Sequence, residues 1–393
     1  MLRFKFSKGN KMTKFVKMSL VAAVAVTGLS TTSFAQPLEE AIKNVDVSGT
    51  VVYRYNDYES KAATNNNATN NYKMAVNVSS KVNDDITANT RFIMGKDGTT
   101  DAVGLGTSTD GDASVNVQLS EVNFTYTGVQ GLSVTVGKQG IATPWTVARD
   151  SMGDEQTGTG VVAVYSFGPA TLVGAYFNQT NFNSAETGLS GSKDIYVLGA
   201  MATFAGITLD GFYADLDDNF DAYTIGVNGS FDLGAVNLAP FARYSQLDPE
   251  GAAATALGTT EDQKLWQLGL TATMGIFEGF VAYGESGSNG GLVYIDSGAA
   301  TNMDYHWRVT ADGSADTDYL YVHATAQVTD KINVGLYYSE ADYKTANDVD
   351  EIYGKVSYQM SKNFETYVQF GEYSVDGSDA DGSMGRLNVQ YTF

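Results

Sequence analysis

Along most of its length this chain alternates apolar and polar residues in runs of about ten, the length of a tilted strand crossing a membrane. The connections between the runs sort themselves by parity. Every second one is very short: Asn83-Asp84-Asp85, Gly128–Gly131, Gly168-Pro169, Ala205-Gly206, Gly234-Ala235, Gly275-Ile276, Thr329-Asp330-Lys331 and Ser361-Lys362-Asn363. The connections between these are longer and acidic or rich in Asn and Gly: 57–71, 97–115, 140–159, 180–192, 248–261 and 287–316. Alternation with a period of two gives a strand one apolar and one polar face. Short turns on one side and long loops on the other are the asymmetry of an outer-membrane barrel. A soluble sandwich has no reason to sort its loops this way.

The first run extends from Val45 to Asn56, with Val45, Val47, Gly49, Val51, Tyr53 and Tyr55 on one face and Asp46, Ser48, Thr50 and Arg54 on the other. Comparable runs recur up to 383–393, roughly 18 in all. With both ends on the short-turn side the number must be even, so we expect an all-β, transmembrane antiparallel β-barrel of about 18 strands, with 16 as the fallback. In the last run Leu387, Val389, Tyr391 and Phe393 alternate with Arg386, Asn388, Gln390 and Thr392. An exposed aromatic edge strand invites aggregation in water, whereas a strand that closes a barrel is paired on both edges. Tyr391 and Phe393 are therefore read as the closure and assembly signal. Between Val161 and Phe177 both faces are apolar, and a wall facing open water should not be. The expectation is that loop 140–159 folds inward and packs there; an outer subunit contact is the alternative.

Residues 1–17 carry Arg3, Lys5, Lys8, Lys11, Lys14 and Lys17 and no acid, followed by an apolar run from Met18 and by Ser33-Phe34-Ala35. This is the pattern of a secretory signal peptide, residues 1–35, and leaves 36–393 as one barrel domain. Either Met1 or Met12 fits as the start. With those six basic residues removed, 18 Lys and Arg face 45 Asp and Glu, a net charge of −27. That excludes nucleic acid as a partner and favours a lumen or rim that attracts cations. Much of the excess sits in external loops such as Asp215–Asp221 and Asp376–Asp381, where salt screens it within about 8–10 Å, so the preference should be weak. The chain has no cysteine, hence no disulfide and no thiolate metal site.

Inward positions carry the chemistry. Arg54, Lys73, Arg91 and Arg386 lie on strands that become neighbours on closure and would form a basic wall. Loop 140–159 carries Arg149, Asp150, Asp154 and Glu155, which would face that wall across a constriction and set up a transverse field. The acidic runs Asp312–Asp318 and Asp376–Gly382 have alternate carboxylates but lack the distal bidentate Glu of an EF-hand. They are read as hydrated loops; no cofactor is required, and weak divalent binding such as Ca2+ is left open. The two histidines, His306 and His323, have no Ser or Asp motif beside them, so an enzyme is not expected. Tyr337, Tyr353 and Tyr367 point inward on consecutive strands, which keeps a substrate-specific channel open as the alternative.

PLEEAIKNVDVSG, from Pro37 to Gly49, resembles the mature start of the major outer membrane porins of Campylobacter and its relatives. Gly137-Lys138-Gln139, Trp145 and Gly158-Thr159-Gly160-Val161 resemble that family around its third external loop. The resemblance implies an 18-stranded, trimeric barrel in the outer membrane of a Gram-negative bacterium, its third loop folded inward to narrow the pore. The expected partners are the lipid bilayer, two further copies of the chain, and small hydrophilic solutes and ions diffusing passively, with a weak preference for cations.

Overall fold

The structure is a computed structural model that describes residues 44–61, 67–95, 101–105, 116–182, 189–378 and 380–393. The signal segment 1–35 and Asp379 lie outside the described residues. Eighteen strands of nine residues or more cross the wall: β1 Val45–Ser60, β2 Asn67–Lys81, β3 Ile86–Gly95, β4 Asn116–Tyr126, β5 Leu132–Gly140 and β6 Thr157–Phe167. Then come β7 Ala170–Thr180, β8 Ile195–Phe204, β9 Ile207–Leu216, β10 Phe220–Gly229, β11 Asn237–Pro249 and β12 Gln263–Met274. The series ends with β13 Phe277–Ser286, β14 Thr317–Thr329, β15 Ile332–Tyr343, β16 Val349–Ser361, β17 Phe364–Val375 and β18 Gly382–Thr392. Two further pieces, Val103–Gly104 and Phe231–Asp232, are two-residue ladders beside β2 and β11.

Each long strand pairs antiparallel with its neighbour in sequence, and β18 returns to β1 with Tyr391 opposite Val51 and Arg386 opposite Asn56. The ring is therefore closed and has no open edge, as hydrocarbon requires. At the seam Gly49 N–H donates to Phe393 O (2.8 Å) and Phe393 N–H donates back to Gly49 O (3.0 Å). The Tyr391 and Phe393 rings stack at 5.7 Å on the lipid side.

The outward residues form the apolar band the alternation demands, with Leu198, Ile225, Phe204 and Phe370 all more than 60% exposed on the single chain. Towards the external rim this band ends in tyrosines that donate to outward carboxylates one register step above them. Tyr55 donates to Asp57 (3.2 Å), Tyr338 to Glu340 (3.1 Å) and Tyr283 to Asp318. A tyrosine at that depth keeps its ring in lipid and its hydroxyl in water.

Two stretches read as loops are partly strand, at 57–60 and 67–71 in the first and at 215–216 and 220–221 in the second. The Asn- and Thr-rich segment 57–71 keeps pairing well past Asn56, with Asn56 opposite Thr69 and Tyr58 opposite Asn67. The hairpin of β1 and β2 continues because ladder hydrogen bonds are made by backbone and do not depend on side-chain polarity. Asp215–Asp221 likewise shrinks to a three-residue link, since β9 runs to Leu216 and β10 begins at Phe220.

The lumen is not uniformly wet. On the inner face of the wall, Phe177, Ile195, Leu216, Phe220, Leu247, Leu265, Tyr319 and Tyr321 form a buried apolar cluster with Ile141 and Trp145 of loop 140–159. Val293, Ile295, Met303 and Val309 of loop 287–316 join the same cluster. Both loops are thus held inside the barrel by hydrophobic burial.

The seam tolerates no side chain at Gly49. A Cβ there would lie 2.3 Å from Ala75 O and 2.7 Å from the Phe393 ring. Gly49→Val should therefore lower the fraction of chain that refolds to the compact, heat-modifiable form on a gel. Refolding equal to the natural sequence would contradict this account of closure.

Candidate pore constriction

Loop 141–156, the third external loop, is fixed to the wall by a buried charge cluster. Glu155 is fully buried, and its carboxylate takes a bidentate pair from Arg91, Nε at 2.8 Å and Nη2 at 2.6 Å, and a third bond from Lys73 Nζ at 3.3 Å. Lys73 also donates to the carbonyls of Asp150 (2.8 Å) and Gly153 (2.7 Å), so all three of its protons are used. Arg149 pairs with Glu121 of β4. Asp150 caps its own turn by accepting the N–H groups of Met152 and Gly153. A polar hollow of about 520 Å3 lies between this loop and the wall, lined in part by Ser79, Asn89, Asn123 and Thr135.

Loop 287–316 is the second inward element. It hydrogen-bonds to the third loop through Ile295 N–H to Trp145 O (2.9 Å) and Thr301 N–H to Pro144 O (3.0 Å). Gln156 Nε2 donates to Asp296 Oδ2 at 2.7 Å. Its segment Met303–Val309 straps across the inner wall: Tyr321 donates to Met303 O (2.7 Å), and the Glu351 carboxylate accepts the N–H groups of Trp307 (3.0 Å) and Arg308 (2.9 Å). The strap carries Asp304, Trp307 and Arg308 into the lumen.

Two faces of opposite sign result. On one, the register aligns Lys355, Gln369, Arg386 and Asn56 in a row across β16, β17, β18 and β1, with Arg54 in the next row. The partners of these cations are neutral. Arg54 Nε donates to Asn388 Oδ1 (3.0 Å), and Arg386 donates to Asn56 Oδ1 (2.6 Å) and Tyr58 Oη (3.2 Å). Arg308 lies over Tyr373 (4.3 Å) and Tyr58 (5.2 Å), Arg386 over Trp307 (5.1 Å), and Lys355 over Tyr367 (4.2 Å). Among the described residues no carboxylate pairs with Arg54, Arg308, Lys355 or Arg386.

The acidic face comes from both loops. Burial, and then Asp150 and Asp154 nearby, push the Asp296 carboxyl up, against the hydrogen bonds from Gly298 and Gln156 that hold it down. The low-dielectric surroundings, and then Asp296, Glu351 and Asp150, push Asp304 up to about 6, although lumen water still reaches its side chain. Asp150 is within electrostatic reach of Arg54 on the opposite face.

The expected site residues therefore divide. Arg54, Arg386 and Asp150 lie on the two faces, with Asp154 beside Asp296. Lys73, Arg91 and Glu155 do not face the pore; they neutralise one another beneath the loop. Arg308, Asp296 and Asp304 were not singled out in the sequence, because nothing local marks loop 287–316 as inward; Lys355, on β16, was not singled out either. The acidic run 312–318 spreads rather than converges: Asp312 accepts from Tyr319 and Tyr343, Asp316 pairs with Lys344, and Asp318 accepts from Tyr283. Asp381 pairs with Lys61 at 2.9 Å.

Removing one member of a buried ion cluster leaves the others uncompensated, at a cost of about 3–5 kcal/mol. Glu155→Gln should free the third loop, raise open-channel noise and lower the thermal unfolding midpoint. A variant with quiet channels and an unchanged midpoint would show that the cluster does not anchor the loop.

Comparison with known proteins agrees with this architecture. By fold, the chain is similar to Pseudomonas aeruginosa OccK1 (OpdK), with 15% identity and a TM-score of 0.72 over 89% of this chain and 99% of that one. It is similar to Acinetobacter baumannii OccAB4 with 14% identity and a TM-score of 0.70, over 89% and 98% of the two chains. P. aeruginosa OccK2 (OpdF), solved in complex with glucuronate, aligns with 12% identity and a TM-score of 0.71 over the same shares. No curated protein sequence matches the chain. The sequence profile of the Campylobacter major outer membrane protein matches residues 13–248, well over half of the chain. The chain belongs to the Campylobacter major outer membrane protein family, and its barrel is an outer-membrane porin, a channel for small solutes.

Proposed function

We propose that this porin passes small hydrophilic solutes and ions through an eyelet with a transverse field, with a weak preference for cations. The observation that carries this reading is the opposition of Asp150, Asp154, Asp296 and Asp304 to Arg54, Arg308, Lys355 and Arg386, built from two loops and the strands β1, β16 and β18. Such a field orients dipolar solutes and slows apolar ones. The excess of carboxylates over the whole chain tips ion traffic towards cations, and salt weakens that bias. Conduction of this kind needs no cofactor. Catalysis is not part of the reading: Ser339, the hydroxyl beside His306, is fully buried and donates to Glu351, so no substrate reaches it.

A second reading, a channel selective for carboxylated or aromatic solutes, is favoured by the aromatic lining of the basic face. Tyr337 and Tyr353 stack in parallel at 4.7 Å, and Trp307 meets Tyr353 edge-on at 5.3 Å. OpdK has been solved with vanillate and OpdF with glucuronate, both carboxylates. Block of single-channel current by sub-millimolar vanillate or glucuronate would favour it, and insensitivity to both would leave the general pore.

A homotrimer is part of the proposal. Besides the family, it is supported by Lys138, which lies on the outer face of β5 opposite Val122 and donates to Leu119 O at 2.9 Å. At a rise of about 3.3 Å per residue and a tilt of about 40°, it sits roughly 15 Å above the periplasmic end of its strand. A lysine facing lipid at mid-depth costs about 2–4 kcal/mol, so a protein neighbour there is favoured.

Two outcomes follow. Asp296→Asn with Asp304→Asn should move the reversal potential in a salt gradient towards anions, and Arg54→Gln with Arg386→Gln towards cations. The change in permeability ratio should be roughly two- to five-fold, about 0.5–1 kcal/mol in a hydrated lumen. Unchanged potentials in both would remove the eyelet as the selectivity filter. Lys138→Glu should convert trimers to monomers on semi-native gels; trimers as stable as those of the natural sequence would place the interface elsewhere.

A further inference from the structure

The chain has only two histidines in 393 residues, and the fold brings them together. His306, on the inward strap, and His323, on β14, face each other with Nε2 and Nδ1 3.1 Å apart. Each outer nitrogen has a partner of its own. His306 Nδ1 lies 2.7 Å from Ser339 Oγ, whose hydroxyl donates to Glu351 Oε1 at 3.0 Å. His323 Nε2 lies 3.8 Å from Glu278 Oε1. Phe280 stacks on His323 at 4.8 Å, and Tyr321 and Tyr337 meet His306 edge-on at 5.3 Å, so both rings are fixed in orientation.

We propose that His306 Nε2 and His323 Nδ1 form a lumenal site for a borderline transition-metal dication, with Cu2+ the tightest. Metal–nitrogen bonds of about 2.0–2.1 Å at angles of 90–110° put two imidazole nitrogens about 2.8–3.4 Å apart, which brackets the observed separation. Imidazole binds metal in its neutral form. Without metal, the Ser339 bond to Glu351 makes His306 Nδ1–H the donor to Ser339. The proton between the rings is then on His323 Nδ1. Metal binding needs that proton to move to His323 Nε2, which faces the Glu278 carboxylate 3.8 Å away, so both facing nitrogens become bare and no proton is released. Carboxylate and hydroxyl partners on the outer nitrogens are what orients histidines on a metal. Glu278 and Glu351 also supply negative charge beside a dication. No group of three or more metal-ligating side chains gathers among the described residues, so water or a passing solute fills the remaining positions. A bound ion would cross-link the strap to the wall beside the Tyr337–Tyr353 stack.

The test is titration of the untagged, chelator-treated full-length barrel in detergent with Cu2+ alone, followed by electron paramagnetic resonance. The expected result is one Cu2+ per chain with superhyperfine couplings from imidazole nitrogen. His306→Gln and His323→Gln should each weaken binding at least 100-fold. Glu278→Gln leaves the barrel and both ligands in place and should weaken it about 10-fold. The proposal is overturned if the spectrum of the natural protein lacks nitrogen couplings, a readout that needs no variant. It is equally overturned if the double histidine variant binds Cu2+ as the natural protein does.

Discussion

Every feature of this molecule depends on backbone hydrogen bonds that cannot be left unmade in hydrocarbon. Each unsatisfied N–H or C=O there costs several kcal/mol, so a chain of strands survives only as a closed ring. The pairing of β18 with β1 completes the ring over eleven register positions, from Thr50–Thr392 to Ser60–Gly382. Closure in turn creates an interior. What fills that interior decides whether the barrel is a wall or a passage.

Here the filling is done by two loops that use different forces. The third loop is nailed by charge, with Glu155 between Arg91 and Lys73, and by the burial of Trp145 and Ile141. The strap in loop 287–316 is held by Glu351 on its backbone and by Met303 and Val309 in the inner apolar cluster. A buried ion cluster fixes register more than it adds stability, since each charge gives up water to form it. Apolar burial supplies the attraction. The division leaves Asp150, Asp296 and Asp304 on one face of the lumen, opposite Arg308 of the strap and Arg54, Lys355 and Arg386 of the wall. In the proposed eyelet the two loops therefore carry the carboxylates and Arg308, and the barrel wall carries the remaining cations.

Much of this was legible in the residues. The strands and their loop parity follow from lipid on one side and water on the other, which writes a period of two into the chain; eighteen strands rather than sixteen rested also on the family resemblance. The inward third loop was legible where that period fails, between Val161 and Phe177, because a wet wall has no use for Phe177 or Val162. The same sign stood further along, in lumen-facing Leu216, Leu247, Leu265, Tyr319 and Tyr321, yet loop 287–316 was read as external. Its apolar residues Val293, Ile295, Met303 and Val309 are scattered among Asp, Asn and Gly without a period. The basic wall was only partly legible. Lys73 and Arg91 look like pore cations until Glu155, 82 and 64 residues away, is found between them. Pairings over that distance leave no local trace. The segment 57–71 misled for the opposite reason: its Asn and Thr side chains signal a turn, while the backbone of its described flanks, 57–60 and 67–71, pairs as strand.

The central claim is that a closed barrel narrowed by two inward loops still leaves a continuous aqueous path. Single-channel recording of the natural protein in a planar bilayer, with neutral polymers of graded size added to both sides, tests it most directly. The account predicts discrete ohmic steps whose conductance small polymers lower and larger ones leave untouched, with the cut-off set by the eyelet rather than by the full bore. An absence of steps from protein that is folded and inserted would contradict it, and so would a cut-off as wide as an empty 18-stranded barrel.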